Sequence, residues 1–202
     1  MNYTHLNKLT LIIFTLNRHK LLKRTINYWL NFNIKLIVLD GSNLKFQDPC
    51  LQSENIKYIH DKTGLYRRLL SSINYINTEF VILGSDDEFY LPSALASCID
   101  FLLKESNFSS CGGRAIGFYT EKNKIFGLKQ YKNLKNLKLD QSNANERAIK
   151  HFSNYVPAHF YSVMRFSKWK IICQNVFEKN YHFSASHELQ VEFLSVIAGK
   201  SR

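Results

Sequence analysis

The sequence predicts an α/β protein, a single domain built on a mostly parallel sheet with flanking helices. Three observations predict it. Apolar runs of strand length alternate with segments of helical period over residues 9–105. Four of those runs end abruptly in polar or acidic loops. The chain has 202 residues and is 45% hydrophobic, which suits one domain with one sizeable core.

Leu9 to Thr15 is a continuous apolar run with a β-branched bias, as expected of a buried parallel strand. Leu21, Leu22, Thr25, Ile26, Trp29 and Leu30 then recur with helical period. Ile34 to Leu39 is a second buried strand, ending in the turn sequence Asp40-Gly41-Ser42-Asn43. Ile56 to His60 is a third. Leu65, Leu69, Leu70, Ile73 and Ile76 outline a second helix, and Phe80 to Leu83 a fourth strand. Pro92 suits a helix start, and Leu95, Cys98, Ile99, Leu102 and Leu103 give that helix its apolar face. Beyond it, Cys111 to Tyr119 reads as a strand weakened by glycines, with Phe118 to Phe126 turning back as a hairpin. Residues 122–150, rich in Lys and Asn, read as a long basic connection. A strand at His159 to Met164 and helices over 167–179 and 186–198 complete the expectation.

Composition bounds the function. The net charge of +11 favours anionic partners such as nucleotide phosphates, nucleic acid or an acidic membrane surface. Cys50, Cys98, Cys111 and Cys173 form no Cys-x-x-Cys pair, which argues against a zinc site, and Cys98 and Cys111 read as small core residues. The histidines show no metal-ligand spacing, and His159 reads as a packed residue. Trp29 and Trp169 read as core. No apolar stretch reaches membrane-spanning length, so a cytoplasmic location is expected, with peripheral contact at the inner face of the plasma membrane through charge.

In a parallel sheet the loops after the strands gather on one edge, where ligands bind. Here they carry Thr15-Leu16-Asn17-Arg18, Asp40-Gly41-Ser42, Asp61-Lys62-Thr63-Gly64 and Ser85-Asp86-Asp87-Glu88. Three adjacent acids repel one another and require a cation close by.

These segments resemble the GT-A (Rossmann-like) nucleotide-sugar glycosyltransferases, in particular the inverting family 2. Leu11 to Arg18 is similar to that family's first strand with its Thr-x-Asn-Arg ending. Val38-Leu39-Asp40-Gly41-Ser42 is similar to its Val-Asp-Asp-Gly-Ser turn, with one Asp missing. Phe80 to Pro92 is similar to its metal-binding Asp-x-Asp strand end and the Pro that follows.

The resemblance implies a donor-binding half at 9–105 and an acceptor-side half at 106–202, the latter shortened or truncated. It implies that Thr15, Asn17 and Arg18 contact the nucleotide and that Asp40 binds its base. The alternative for Asn17 is capping of the following helix. One of Arg67 and Arg68 would face the donor. Asp86 and Asp87, with Glu88 as the third member, would hold Mg²⁺ or Mn²⁺ against a nucleoside-diphosphate-sugar. The acceptor would be a glycan or lipid-linked hydroxyl, in bacterial surface polysaccharide or lipopolysaccharide synthesis.

An inverting transfer needs a base, which the resemblance places at Glu188, with His187 as the alternative. Ser186 would cap that last helix and put Glu188 in its first turn, where the helix dipole favours an anion. Leu189, Phe193, Val196 and Ile197 would form its buried face. A nucleotidyltransferase that makes a nucleotide-sugar would share this sheet and its acids, but it calls for a Gly-rich first loop, and Thr15-Leu16-Asn17-Arg18 has no glycine. Two other readings stand beside this one. One is a catalytically inactive scaffold of the same fold. The other is a basic nucleic-acid-binding module, against which the lack of any basic–aromatic interleaving argues. Nothing in the sequence sets an oligomeric state.

Overall fold

The computed structural model describes every residue except 1, 2, 4, 132–136, 158 and 180. Strands β1 (Leu9–Thr15), β2 (Lys35–Asp40), β3 (Ile56–His60) and β4 (Phe80–Ser85) make the parallel body of the sheet. Helices α1 (His19–Trp29), α2 (Leu65–Ser72) and α3 (Pro92–Lys104) connect and follow them, α3 starting on Pro92 as expected. The later elements are β5 (Phe108–Cys111), β6 (Ile116–Glu121), β7 (Lys124–Lys129), α4 (Ala144–Ser153), β8 (Val163–Arg165), α5 (Phe166–Phe177), α6 (Ser184–Ala198) and β9 (Lys200–Ser201).

Among the described residues the main sheet runs β3-β2-β1-β4-β8-β5-β9, with β8 antiparallel to both β4 and β5. The sheet is therefore mostly parallel, as the sequence predicts. Side chains of successive strand residues point to opposite faces. Leu9, Leu11, Ile13, Val38 and Ile82 pack with Leu22, Ile26 and Trp29 of α1 and with Leu95 and Ile99 of α3. Ile12, Ile37, Leu39, Val81 and Leu83 pack on the other face, with Leu69 of α2, with Trp169, Ile172 and Val176 of α5, and with Val191 of α6. Both faces are covered, which is why these strands read as unbroken apolar runs. With α1 on one face and α2 on the other, the chain winds outward from β1 in both directions. That leaves a crevice beyond the C-terminal ends of β1 and β4.

Several expectations need correction. The stretch read as a connection over 122–150 contains β7 and most of α4; Asn143 caps α4 by accepting from Asn145 N–H. The part of that stretch at 132–136 lies outside the described residues. The expected strand 111–119 is two strands, β5 in the main sheet and β6 in a separate hairpin with β7. The expected strand 159–164 shrinks to Val163–Arg165, because His159 to Ser162 form a turn closed by Ser162 N–H to His159 O. Leu30 and Leu103, expected on apolar faces, stay exposed.

The largest correction concerns α6. It begins at Ser184 with Phe183 as its cap residue, so Ser186 does not cap it and Glu188 lies beyond the first turn. Leu189, Phe193 and Ile197 are exposed, and the buried side of α6 carries His187, Val191, Glu192, Ser195 and Val196. Val196 is buried as expected, but the other three expected core positions give way to the buried Glu192, whose carboxylate finds hydrogen-bond partners inside the fold.

Candidate functional site

The register of the parallel strands assembles the site. Thr15 pairs across to Asp40, Asp40 to His60, and Phe14 to Ser85, so four strand ends finish level on one edge. The loops that follow are stitched together. Asn17 N–H donates to Ser42 Oγ at 2.7 Å, and Asn43 N–H donates to Asn17 Oδ1 at 3.0 Å. Asn17 holds φ at +56°, a conformation asparagine tolerates, and it does not cap α1. Its carboxamide bonds to the neighbouring loop instead.

Asp40 is buried. Its carboxylate accepts from Ser42 N–H at 2.8 Å and from the Tyr58 hydroxyl at 2.7 Å, and it faces His19 Nε2 at 3.1 Å. Burial pushes the carboxyl pKa up, but the bonds from Ser42 and Tyr58 outweigh it, and the group ends below its usual value. Arg68 is the arginine that points inward. It donates to Leu39 O at 2.8 Å and to the carbonyls of Thr15 and Thr63. Its guanidinium fills the space where a Cβ at residue 41 would sit, 2.5 Å from Nη2, which accounts for Gly41. Arg67 is exposed and lines a cleft of about 390 Å³ between α2 and the α5–α6 corner, together with Tyr66, Lys179, Tyr181 and His187. None of the strand-end acids lines that cleft.

At the end of β4 the cation that the acids require is Arg18. Its Nη2 lies 2.5 Å from Asp86 Oδ1, its Nε donates to Asp86 Oδ2 at 3.2 Å, and its Nη1 donates to Asp87 Oδ2 at 2.8 Å. Thr15 Oγ1 also donates to Asp86, at 2.5 Å, and Thr25 Oγ1 donates to the Asp86 main-chain carbonyl. Asp86 is fully buried, and that burial outweighs its partners and lifts its pKa. Asp87 is exposed; burial raises its pKa, but the bonds from Ser85 and Arg18 prevail and lower it. Glu88 turns back to accept from Ser85 N–H at 2.8 Å, and burial raises its pKa. The three acids thus do not converge on one point. Asp87 alone offers a carboxylate at the surface, with Ser85 Oγ beside it. A hard oxygen pair of this kind fits Mg²⁺ or Mn²⁺, which take one or two carboxylates and complete their shells with substrate oxygens and water.

On the other side, Glu188 is half-buried and accepts from the Tyr155 hydroxyl at 2.9 Å. His187 is buried, its ring stacked on Tyr66 at 3.7 Å and set edge-on to Tyr181. Tyr161 lies on the same side of the fold; burial raises its phenol pKa first, and the negative charges of Glu88 and Glu188 raise it further. Tyr155, Tyr161, His19 and Tyr58 were not anticipated from the sequence. Each acts on a group more than fifteen residues away, and no local pattern announces such a partner.

The chain belongs to glycosyl transferase family 2, whose model matches residues 10–171. Its fold is similar to a crystal structure of residues 1–349 of S. aureus TarS, with a TM-score of 0.64 at 15% identity, covering 93% of this chain and 55% of that one. A longer S. aureus TarS structure gives a TM-score of 0.59 at 14% identity, covering 93% and 33%. The chain therefore spans about half, or less, of the length of these structures. A search of curated protein sequences finds no match.

Two outcomes are expected. Arg18→Ala strands the buried Asp86 carboxylate and should cost roughly 1–3 kcal/mol in urea unfolding. Adding Asp86→Asn should recover part of that loss, and simple additivity of the two changes would show that the pair is not coupled. For Asp40, the pKa is lower in the folded chain than in the unfolded one. Its stabilisation is therefore complete above the unfolded value of 3.8 and is lost as pH falls through the folded value. The stability gap between the parent and Tyr58→Phe should narrow in that acid window, and acid titration by circular dichroism reads it.

Proposed function

We propose that the chain is a nucleotide-sugar-dependent glycosyltransferase whose donor lies across the C-terminal edge of β1, β2 and β4. The observation that carries this reading is the level ending of those strands, which sets Thr15, Asp40 and Ser85 side by side next to the exposed Asp87. Family membership supports the reaction class.

In this reading Asp40 and the Asn17–Ser42 stitch shape the nucleoside end of the site. Arg18 is a half-exposed cation beside the acids, placed to meet a diphosphate. Asp87 would hold Mg²⁺ or Mn²⁺, which when bound offsets charge on the departing nucleoside diphosphate. Asp86 acts as the buried anchor of Arg18. Glu188 takes the proton of the acceptor hydroxyl while that oxygen bonds to the anomeric carbon, and the electron pair of the breaking C–O bond leaves on the phosphate. The Tyr155 bond orients that carboxylate. His187, enclosed by aromatic rings, is the weaker candidate for base. Inversion, a glycan or lipid-linked acceptor, and a role in bacterial surface polysaccharide assembly at the cytoplasmic face rest on the family resemblance. Among the described residues no helix is long and apolar enough to cross a membrane. The net charge of +11 suits contact with anionic lipid.

The test is a thermal-shift panel with UDP, GDP, CDP and TDP, each with and without Mn²⁺. One nucleotide should raise the melting temperature in a metal-dependent manner, and Asp87→Ala should abolish the metal dependence. The absence of any nucleotide response would favour a scaffold without catalysis. Glu188→Gln should bind donor normally yet lower transfer by at least about 10²-fold, the scale of general-base catalysis. Full turnover in that variant would move the base elsewhere.

A further inference from the structure

The C-terminal half contains a second cluster of ionisable groups, away from the strand-end acids. His151 in the last turn of α4, His159 before β8 and Glu192 in the middle of α6 meet in the interior, with donor atoms all within 4.8 Å of one another. His151 Nε2 and His159 Nδ1 each lie 2.9 Å from the same oxygen, Glu192 Oε2. All three side chains are essentially without solvent exposure.

We propose that this cluster is a structural transition-metal site, with Zn²⁺ as the fitting ion, held by His151 Nε2, His159 Nδ1 and Glu192 Oε2. Two imidazole nitrogens and one carboxylate oxygen form a donor set of borderline softness. That set suits zinc better than the hard magnesium or manganese expected at Asp87.

The surroundings are those of ligands held from behind. Glu192 Oε1 accepts from the N–H groups of His159 and Phe160, both at 2.9 Å, which turns Oε2 toward the histidines. The other ring nitrogen of His159, Nε2, lies 2.7 Å from Ser201 Oγ. Metal-bound histidines are commonly fixed by such a bond from the second nitrogen. His151 provides the independent observation. It is fully buried, and neither ring nitrogen has a hydrogen-bond partner, although Nε2 is only 2.9 Å from Glu192 Oε2. His159 Nδ1 hydrogen-bonds that same oxygen, so His151 Nε2 is the nitrogen of the cluster left unpaired. A buried nitrogen left this way is costly, and a cation at the centre would satisfy it. Ligands of a tetrahedral ion with bonds of about 2.0–2.1 Å stand about 3.3 Å apart, so seating zinc would open each 2.9 Å nitrogen–oxygen separation by a few tenths of an ångström.

The location explains the benefit. The three ligands and Ser201 come from α4, the turn before β8, α6 and β9, and the cross-link would pin these four segments together. This inference does not depend on the donor site, and the experiment keeps the two metals apart.

The full chain, stripped with a chelator, is titrated with Co²⁺ alone and then with Zn²⁺ alone. We expect near-stoichiometric uptake, the visible d–d bands of low-coordinate Co²⁺, their displacement by Zn²⁺, and a higher melting temperature with zinc. Asp87→Ala should keep all of these, whereas His151→Phe, which preserves the buried ring, should lose them. Should His151→Phe fail to fold, the titration of the unmutated chain decides by itself. No d–d bands and an unchanged melting temperature with zinc would overturn the proposal and leave a hydrogen-bonded His–Glu–His network. Bands that vanish in Asp87→Ala but persist in His151→Phe would overturn it equally.

Discussion

The in-register parallel pairing of β1 with β2 on one side and β4 on the other is the constraint on which the rest depends. It requires both sheet faces to be covered, and so it dictates that α1 and α3 pack on one face and α2, α5 and α6 on the other. It also brings Thr15, Asp40 and Ser85 level, although residues 15 and 85 are far apart in sequence. A shift of one residue would send each alternate side chain to the wrong face and would move Asp86 out of reach of Thr15 and Arg18.

Charge is managed within that frame by two arginines with opposite tasks. Arg68 is buried and spends its donors on main-chain carbonyls, tying the ends of β1 and β2 together. Gly41 leaves the room for it. Arg18 is half-exposed and spans Asp86 and Asp87, offsetting a buried carboxylate while keeping one edge toward solvent. Their different burial separates a cation that holds the backbone from one that neutralises acids at the surface.

The edge at the ends of β1, β2 and β4 was largely legible in the sequence because its strands are continuous apolar runs and its loops are short and polar. Thr15, Asp40 and the acids after β4 fall where the pattern placed them. The C-terminal half was far less legible. Leu189, Phe193 and Ile197 look like a core stripe, yet α6 buries His187, Glu192 and Ser195 instead. A buried carboxylate can occupy an interior when it finds partners, and Glu192 finds three hydrogen bonds, from His159 N–H, the His159 ring and Phe160 N–H, on residues more than thirty positions away. A periodicity argument weighs apolar area alone and has no access to such partners. The same reason hid α4, whose exposed apolar residues and basic face read as a linker.

The sequence by itself determined the α/β class, the first four strands, the helix start at Pro92 and the gathering of polar loops at one edge. These follow from local periodicity and from turn chemistry encoded within a few residues. The tertiary structure alone decided that Arg68 rather than Arg67 turns inward, that Arg18 meets Asp86 and Asp87, that Asn17 bonds across to the next loop instead of capping α1, and that Glu192 is buried between two histidines. Each of these is a choice of partner across tens of residues, settled by packing and desolvation once the sheet has formed. A linear pattern carries no record of which distant donor will stand opposite a given carboxylate.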